Sequence, residues 1–360
     1  MTSPMERDSS SARPWGLTAA ICTHNGSGRL PGALTRLALQ SVAHGTQWEV
    51  LVVDNQSSDD TRERALATWD ELGAPTSLRV VPEPTLGLSF ARERAFREAA
   101  FACVSLIDDD NLVDRNWVAV ALAALGGEPR IGAVGGRSTL LSDGPVPLWF
   151  ESVSRLYAVG DLGETPRILG RHEVLWGAGL TVRVDAWSRL LRSGFRAALT
   201  DRRGEHLSSG GDTELCLALQ KAGWLLLYDP RLNFQHAIGV RRLTKGYLLR
   251  LAEGCGRSAP LLDGFYLDSM LSGMCSRAIR RSWIFQVLLA FTKLMHRPLT
   301  AMSPTFFPPK DIVAAVANQM WRGRMLEVFR IRRKYTRRIE ELEAYDWGSA
   351  RPERGGVGNS

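Results

Sequence analysis

The chain has 360 residues, 44% of them hydrophobic and 23% charged, with a formal net charge of +7. Such a chain can bury a sizeable core as one large domain or two smaller ones, and its composition is that of an ordinary soluble globular protein. The positive excess suits anionic partners such as phosphorylated substrates or acidic headgroups, but Arg322, Arg324, Arg330, Arg332, Arg333, Lys334, Arg337 and Arg338 crowd it toward the C-terminus, and no nucleic-acid partner is expected. Five scattered cysteines without CxxC spacing (22, 103, 216, 255, 275) exclude a disulfide framework or a zinc site and suit a reducing compartment. The polar stretch Thr2 to Ser11 carries no secretory pattern. The longest apolar patch, Trp283 to Met295, is interrupted by Gln286, Thr292 and Lys293 and is too short to span a bilayer.

Residues 1–14 are expected to be disordered. Strands and helices then alternate. Leu17 to Cys22 reads as a strand and Arg29 to Ala43 as a helix. Glu49 to Val53 is a second strand, followed by a helix over Asp60 to Leu72. Leu78 to Val81 and Phe101 to Ile107 are further strands, each followed by a helix (Leu88 to Ala100, Arg115 to Leu125). Ile131 to Gly135 is a fifth strand. Short apolar strands separated by helices imply a mostly parallel sheet covered on both faces, with ligands beyond the strands' carboxyl ends. The rhythm loosens after Gly136. A short helix is expected near Trp149 to Tyr157, strands at Gly179 to Arg183 and Trp224 to Tyr228, and helices at Asp185 to Leu191 and Asp212 to Ala222. From Arg241 the pattern is helical. Pro304, Pro308 and Pro309 break it before a long basic segment, Lys310 to Tyr345, and a Gly-rich tail from Gly348 reads as disordered.

The stretch "SLIDDDN" ends the fourth strand in Asp108, Asp109 and Asp110. Adjacent like charges at about 4 Å cost roughly 4 kcal/mol near a protein surface. A divalent cation relieves that cost, because Mg²⁺ and Mn²⁺ take oxygen ligands and commonly bind through one or two carboxylates plus substrate phosphates. A solvated turn, with Asp110 or Asn111 capping the next helix, is the plainer reading; the position after an apolar strand favours the metal-phosphate site. In "VVDNQSSDDT", Asp54 ends the second strand, where its carboxylate can accept from a base N–H while Ser57, Ser58 or Asp59 caps the helix. In "GGDTELCLALQKAGW", Asp212 opens a helix whose dipole keeps the carboxylate ionised. "GSGRLPG" is a decoy: the dinucleotide fingerprint needs glycine where Pro31 stands. No Walker lysine loop and no GxSxG elbow is present.

"ICTHNGSGRLPGALTRLALQS", "WEVLVVDNQSSDDT", "GLSFARERAFREA", "VSLIDDDN", "WGAGLTVRVDAW" and "GGDTELCLALQKAGWLLLYDPRLNFQH" occur in that order. Together they resemble a family 2 glycosyltransferase, and most nearly the bacterial enzymes of hormogonium-type exopolysaccharide synthesis. The resemblance spans about residues 17–250. It implies a GT-A domain over 15–250, a helical region over 251–345 and a disordered tail over 346–360. It further implies transfer of one sugar, with inversion, from a nucleoside-diphosphate sugar to a hydroxyl, dependent on Mn²⁺ or Mg²⁺.

The same resemblance assigns roles. Thr23, Asn25 and Asp54 would line the nucleobase pocket, and Arg92 would lie near the nucleotide. Asp108 and Asp109 would bind the nucleotide sugar, Asp110 and His236 the metal, and Asp212 would be the catalytic base. Trp176 and Gly177 would meet a glycan or lipid-linked acceptor. For Trp176 a core position, and for His236 a strand-end bond to a carbonyl, are equally ordinary readings. Two departures stand out: Gly211 replaces the Glu of the usual Glu-Asp pair, and the QxxRW element of processive synthases is absent after His236. Arg241, Arg242 and Lys245 are either a phosphate lid or a solvated turn. A nucleotidyltransferase and a non-catalytic scaffold of the same fold are the alternatives: the retained acidic positions weigh against the scaffold, and the register of the later motifs against the nucleotidyltransferase, which also uses paired carboxylates. Trp283, Ile284, Val287, Leu288, Phe291 and Leu294, flanked by basic residues, suit a core-facing helix better than a membrane-resting one. The expected location is the cytoplasm or the inner face of the plasma membrane.

Overall fold

The computed structural model describes residues 13–199, 210–266, 281–295 and 309–353. Strand β1 (Leu17–Thr23) lies between β2 (Trp48–Asp54) and β4 (Cys103–Asp108), and β3 (Leu78–Pro82) flanks β2, all in parallel. Helices α1 (Leu30–Ala38), α2 (Thr61–Glu71) and α3 (Leu88–Glu98) connect them. Alternate residues of each strand face opposite sides, as the two-residue period requires. Leu17, Ala19, Ile21, Val50 and Val52 pack with α1, α2 and α4 (Trp117–Gly127); Ala20, Leu51, Val53, Val104 and Leu106 pack with α3 and the later helices. Both faces are dry, so the strands read as continuous apolar runs.

Beyond β4 the sheet changes direction. β8 (Leu180–Arg183) pairs antiparallel with both β4 and β6 (Ile131–Leu141), and β6 runs parallel to β9 (Leu225–Ala237). Two short strands absent from the sequence reading, β5 (Asn111–Val113) and β7 (Arg167–Ile168), pair antiparallel with β9. The strand order is β3-β2-β1-β4-β8-β6-β9-β5, with β7 also on β9. The expected fifth strand and the Trp224 to Tyr228 strand are both longer than the sequence suggested. β9 continues past Asp229 and Pro230, and Arg231 closes onto the buried Asp229 carboxylate at 2.6 Å. The short helix near residue 150 is a 3₁₀ turn, Glu151–Tyr157. Helices α5 (Val184–Arg192) and α6 (Gly211–Lys221) follow the expected positions closely.

The C-terminal region is helical: α7 (Lys245–Tyr266), α8 (Trp283–Met295) and α9 (Pro309–Ala344). Pro309 opens α9, the helix position where a missing N–H costs nothing; Pro304 and Pro308 lie outside the described residues. Glycines bring α7 and α9 into backbone contact. A methyl group at Gly256 would collide with the Met320 carbonyl, and one at Gly323 with the Glu253 carbonyl. The tail expectation needs correction over its first residues. Trp347–Ala350 forms a 3₁₀ turn whose Ala350 is buried and whose carbonyl accepts the Trp224 indole N–H at 2.9 Å. Residues 1–12 and 354–360 lie outside the described residues.

The expectation for α8 also changes. Trp283 and Val287 pack against Val328, Tyr335 and Ile339. Ile284, Leu288, Phe291 and Met295 form a second stripe, 53%, 57%, 51% and 60% exposed. The helix is apolar on two faces, and only one is covered by described residues. Among the described residues no helix is long and apolar enough to cross a membrane.

Candidate active site

β1, β2 and β4 end side by side: Thr23 pairs with Asp54, and Cys22 with Asp108. Past these ends opens a cavity of about 480 Å³. Thr23, Arg92, Asp108, Asp109, Asp110, Trp176, Gly177, Asp212 and His236 all line it, although they come from segments spread over more than 200 residues. Asn25 and Asp54 do not. Asn25, at φ 48°, accepts the Ser58 N–H at 2.8 Å, and Asp54 accepts the Ser57 N–H at 3.0 Å. Both side chains serve the turn that leads into α2. None of Ser57, Ser58 and Asp59 takes the cap position expected of them: Asp60 stands there without a side-chain bond, and Asp59, one residue before it, accepts the Thr61 N–H at 3.2 Å.

The three carboxylates of the triplet have different surroundings. Asp109 is buried and clamped: Arg29 donates to both its oxygens, at 2.9 and 2.8 Å, and the Thr23 hydroxyl donates at 2.6 Å. Asp109 thus holds the wall together, with Thr23 turned toward it. Asp110 lies 3.4 Å from His236 Nε2 through one oxygen and accepts from Arg242 Nη1 at 2.8 Å through the other. Burial works to raise its pKa, but His236 and Arg242 outweigh burial and hold the carboxyl well below the usual range. Asp108, at the very end of β4, lines the cavity beside them. Cys22 lines it too, and burial pushes its thiol up to about 12, so it stays neutral.

Asp212 is the second residue of α6 and does not cap it. One of its oxygens accepts the Gly177 N–H at 2.6 Å and the other the Thr213 N–H at 2.9 Å. Gly177 is required here. A Cβ would sit 2.7 Å from the Asp212 carboxylate and 3.0 Å from Arg92 Nη2, so the "WGAG" segment, α6 and α3 converge on one point. Each carboxylate oxygen keeps a further lone pair for a proton. Two residues on, Glu214 is fully buried. It accepts backbone N–H groups from Ala198 and Leu199 at 2.8–2.9 Å and Arg338 Nη2 of α9 at 2.7 Å. Burial still raises its pKa against these partners.

The sequence reading missed several lining residues: His24, Arg29, Asn55, Arg155 and Tyr157. Asn55 is buried and spends its amide on the Glu83 and Thr85 carbonyls and the Gly87 N–H, fixing the entry to α3. Its place directly after Asp54 at a strand end was the one available signal. Arg241 and Arg242 form a 3₁₀ turn after β9 (Val240–Arg242), with Arg242 turned into the cavity and Arg241 outside its lining.

The donors near the triplet fit a divalent cation in kind. Asp110 and His236 present a carboxylate oxygen and an imidazole nitrogen 3.4 Å apart, close to the separation of two ligands on one small cation. Among the described residues His236 Nδ1 is buried without a hydrogen-bond partner, and the ring packs against Phe234. No cluster of three or more His, Cys, Asp or Glu suited to a metal occurs among the described residues; a site of two protein ligands would be completed by substrate phosphates.

Residues 18–145 match the family model described as Glycosyl transferase family 2. That span contains Asp54, Arg92 and the triplet; Asp212, His236 and Arg242 lie beyond it. No curated protein matches the sequence. Among solved structures, the mannosyltransferase PcManGT from Pyrobaculum calidifontis, in complex with GDP-Man and Mn²⁺, is similar at 17% identity and a TM-score of 0.50, covering 94% of this chain and 91% of that one. TarS 1-349 of S. aureus, in complex with UDP, aligns at 13% identity and a TM-score of 0.47, covering 93% and 89%. The fold is of the GT-A kind, with a helical C-terminal region. The family match and the fold support a glycosyltransferase.

Proposed function

We propose that the cavity binds a nucleoside-diphosphate sugar and transfers its sugar, with inversion, to the hydroxyl of an acceptor. The observation that carries this is the meeting of Asp108, Asp110, Arg92 and Asp212 in one cavity at the carboxyl ends of the strands. The acceptor oxygen attacks the anomeric carbon from the face away from the phosphate, and the carbon–phosphate oxygen bond breaks as the new bond forms. Asp212 takes the hydroxyl proton, and the diphosphate leaves with the electron pair. Help of this kind contributes about 10²- to 10⁴-fold. The backbone N–H of Gly177 fixes the base, which limits the orientations it can adopt. Asp110 and His236 would hold a divalent cation, Mn²⁺ or Mg²⁺, which when bound supplies Lewis-acid neutralisation of the departing diphosphate. The GDP-Man and Mn²⁺ bound by PcManGT are in keeping with this reading.

Trp176, with Leu156, Tyr157, Leu175, Leu251 and Cys255, gives the acceptor an aromatic and apolar surface, as a glycan or lipid-linked acceptor would use. The exposed stripe of α8 and the basic residues Lys293, Arg330 and Arg333 near it in sequence or on the adjoining helix support peripheral contact with an anionic membrane from the cytoplasmic side. Absence of the QxxRW element favours one sugar per encounter. Order of motifs alone supports a place in bacterial exopolysaccharide synthesis.

The test is a panel of UDP-, GDP-, ADP- and dTDP-sugars offered with and without Mn²⁺, with release of the nucleoside diphosphate and the anomer of the product as readouts. Transfer with inversion is the expected result. Hydrolysis or transfer by none of them, or release of pyrophosphate from a nucleoside triphosphate, would overturn it.

A further inference from the structure

Both oxygens of Asp110 are taken: one faces His236, and the other accepts from Arg242. Arg242 therefore supplies, through the oxygen turned away from His236, the positive charge that a cation between Asp110 and His236 would bring to the same carboxylate. Besides Asp110, Tyr247 also partners its guanidinium. Among the described residues its Nε is buried without a hydrogen-bond partner, and its guanidinium carbon lies 5.8 Å from the centre of the Tyr247 ring. A buried unpaired N–H is uncommon enough to call for an explanation. The backbone below is fixed, because the Arg242 carbonyl accepts the Tyr157 hydroxyl at 3.0 Å. A fixed Cα, a long side chain and an unused donor make a group that can turn while its base stays still. The guanidinium also carries the donor fork that matches phosphate oxygens.

We propose that Arg242 and the divalent cation alternate on Asp110: the guanidinium holds the carboxylate in the donor-free protein, and turns to the diphosphate oxygens when the nucleotide brings its cation. This rests on the donor site proposed above and adds to it an order of binding. A guanidinium on Asp110 repels a divalent cation held by the same carboxylate, so the metal alone is expected to bind more weakly than it would without Arg242. The diphosphate offers the displaced arginine a second partner, and metal and nucleotide then strengthen each other reciprocally. In the donor-free protein two of the three carboxylates of the triplet carry a guanidinium: Asp109 that of Arg29, and Asp110 that of Arg242.

The experiment is titration of the full chain with MnCl₂ alone, and with UDP and GDP at saturating Mn²⁺, in the wild type, Arg242→Gln and Arg242→Lys. In Arg242→Gln, Mn²⁺ alone is expected to bind at least tenfold more tightly, and the nucleoside diphosphate at least tenfold more weakly. A purely structural lesion would weaken both. Arg242→Lys keeps a competing cation and should leave Mn²⁺ binding as weak as in the wild type. Unchanged or weaker Mn²⁺ binding by folded Arg242→Gln overturns the alternation, and unchanged nucleotide binding overturns the turn onto the diphosphate. A structure of the wild-type chain with Mn²⁺ and the diphosphate decides without any variant: Arg242 still on Asp110 overturns the proposal. Sugar transfer by the wild type is measured separately. If transfer occurs while these titrations fail, the alternation falls and the glycosyltransferase reading stands.

Discussion

The cavity lining that comes from residues 22–110 is charged, and the lining from residues 155–255 is largely apolar. In the first set, Arg29 meets Asp109, and Asp108, Asp110 and Arg92 stand beside them. Its charges are paired with partners before any ligand arrives. In the second, Leu156, Tyr157, Val174, Leu175, Trp176, Leu251 and Cys255 supply shape, while Asp212, His236 and Arg242 are the ionisable groups aimed inward with Arg155. On the function proposed above, the charged set, joined by His236 and Arg242 at Asp110, serves a phosphorylated donor, which needs charge at fixed points, and the apolar remainder serves an acceptor, which needs a surface. On the same reading the proposed proton acceptor, Asp212, stands on the later segments, apart from the acidic triplet.

The sharpest way to break that division is Asp212→Asn. Turnover is expected to fall by about 10²- to 10⁴-fold, while binding of the nucleoside diphosphate, read by calorimetry, stays as in the wild type. Loss of donor binding would place Asp212 in the charged set. Next comes Arg29→Met, which leaves the buried Asp109 with Thr23 as its remaining hydrogen-bond donor. The expected cost is about 2 kcal/mol of stability by urea denaturation, because Arg29 is half-exposed and water can replace part of its role. Gly256→Ala forces a methyl group against the Met320 carbonyl; about 1–2 kcal/mol of destabilisation is expected, with donor affinity unchanged. Trp176→Ala should raise the acceptor KM by about tenfold, roughly 1.4 kcal/mol, and leave the donor KM alone. The smallest effect is expected of Phe291→Ser on the α8 stripe. It should weaken flotation with anionic liposomes severalfold, about 1 kcal/mol, with no change in transfer to a water-soluble acceptor.

The parallel half of the sheet was legible because both its faces are dry: β1, β2 and β4 each read as an apolar run, and β2 and β4 end in a carboxylate. The triplet was legible as an oddity for the same reason. Its partners were not. Arg29 and Asp109 are 80 residues apart, and Arg242 and Asp110 are 132 apart, so no local spacing links them. β5 and β7 were invisible because three and two residues are too few to show a period. β9 looked finished at Tyr228 because Asp229 and Pro230 read as a break, and the Arg231 pairing that buries Asp229 leaves no trace in hydrophobicity. For α8, one apolar face pointed to a core helix; the second face is a property that a count of apolar positions does not separate from the first. Asn25 and Asp54 were assigned by resemblance, and the structure gives both to the α2 turn.

Glu214 carries a consequence for how the chain can be divided. It sits two residues from Asp212, and its one side-chain counter-charge among the described contacts is Arg338, far along α9. The segment carrying the proposed proton acceptor is thereby braced from far along the chain. A fragment stopping before α9 would retain every strand of the sheet and the whole charged lining, and yet would leave a fully enclosed carboxylate with backbone donors alone. The helical region is on this account no appendage to a self-sufficient catalytic unit but the last brace of it, and trimming it would cost the enzyme its aim before its shape.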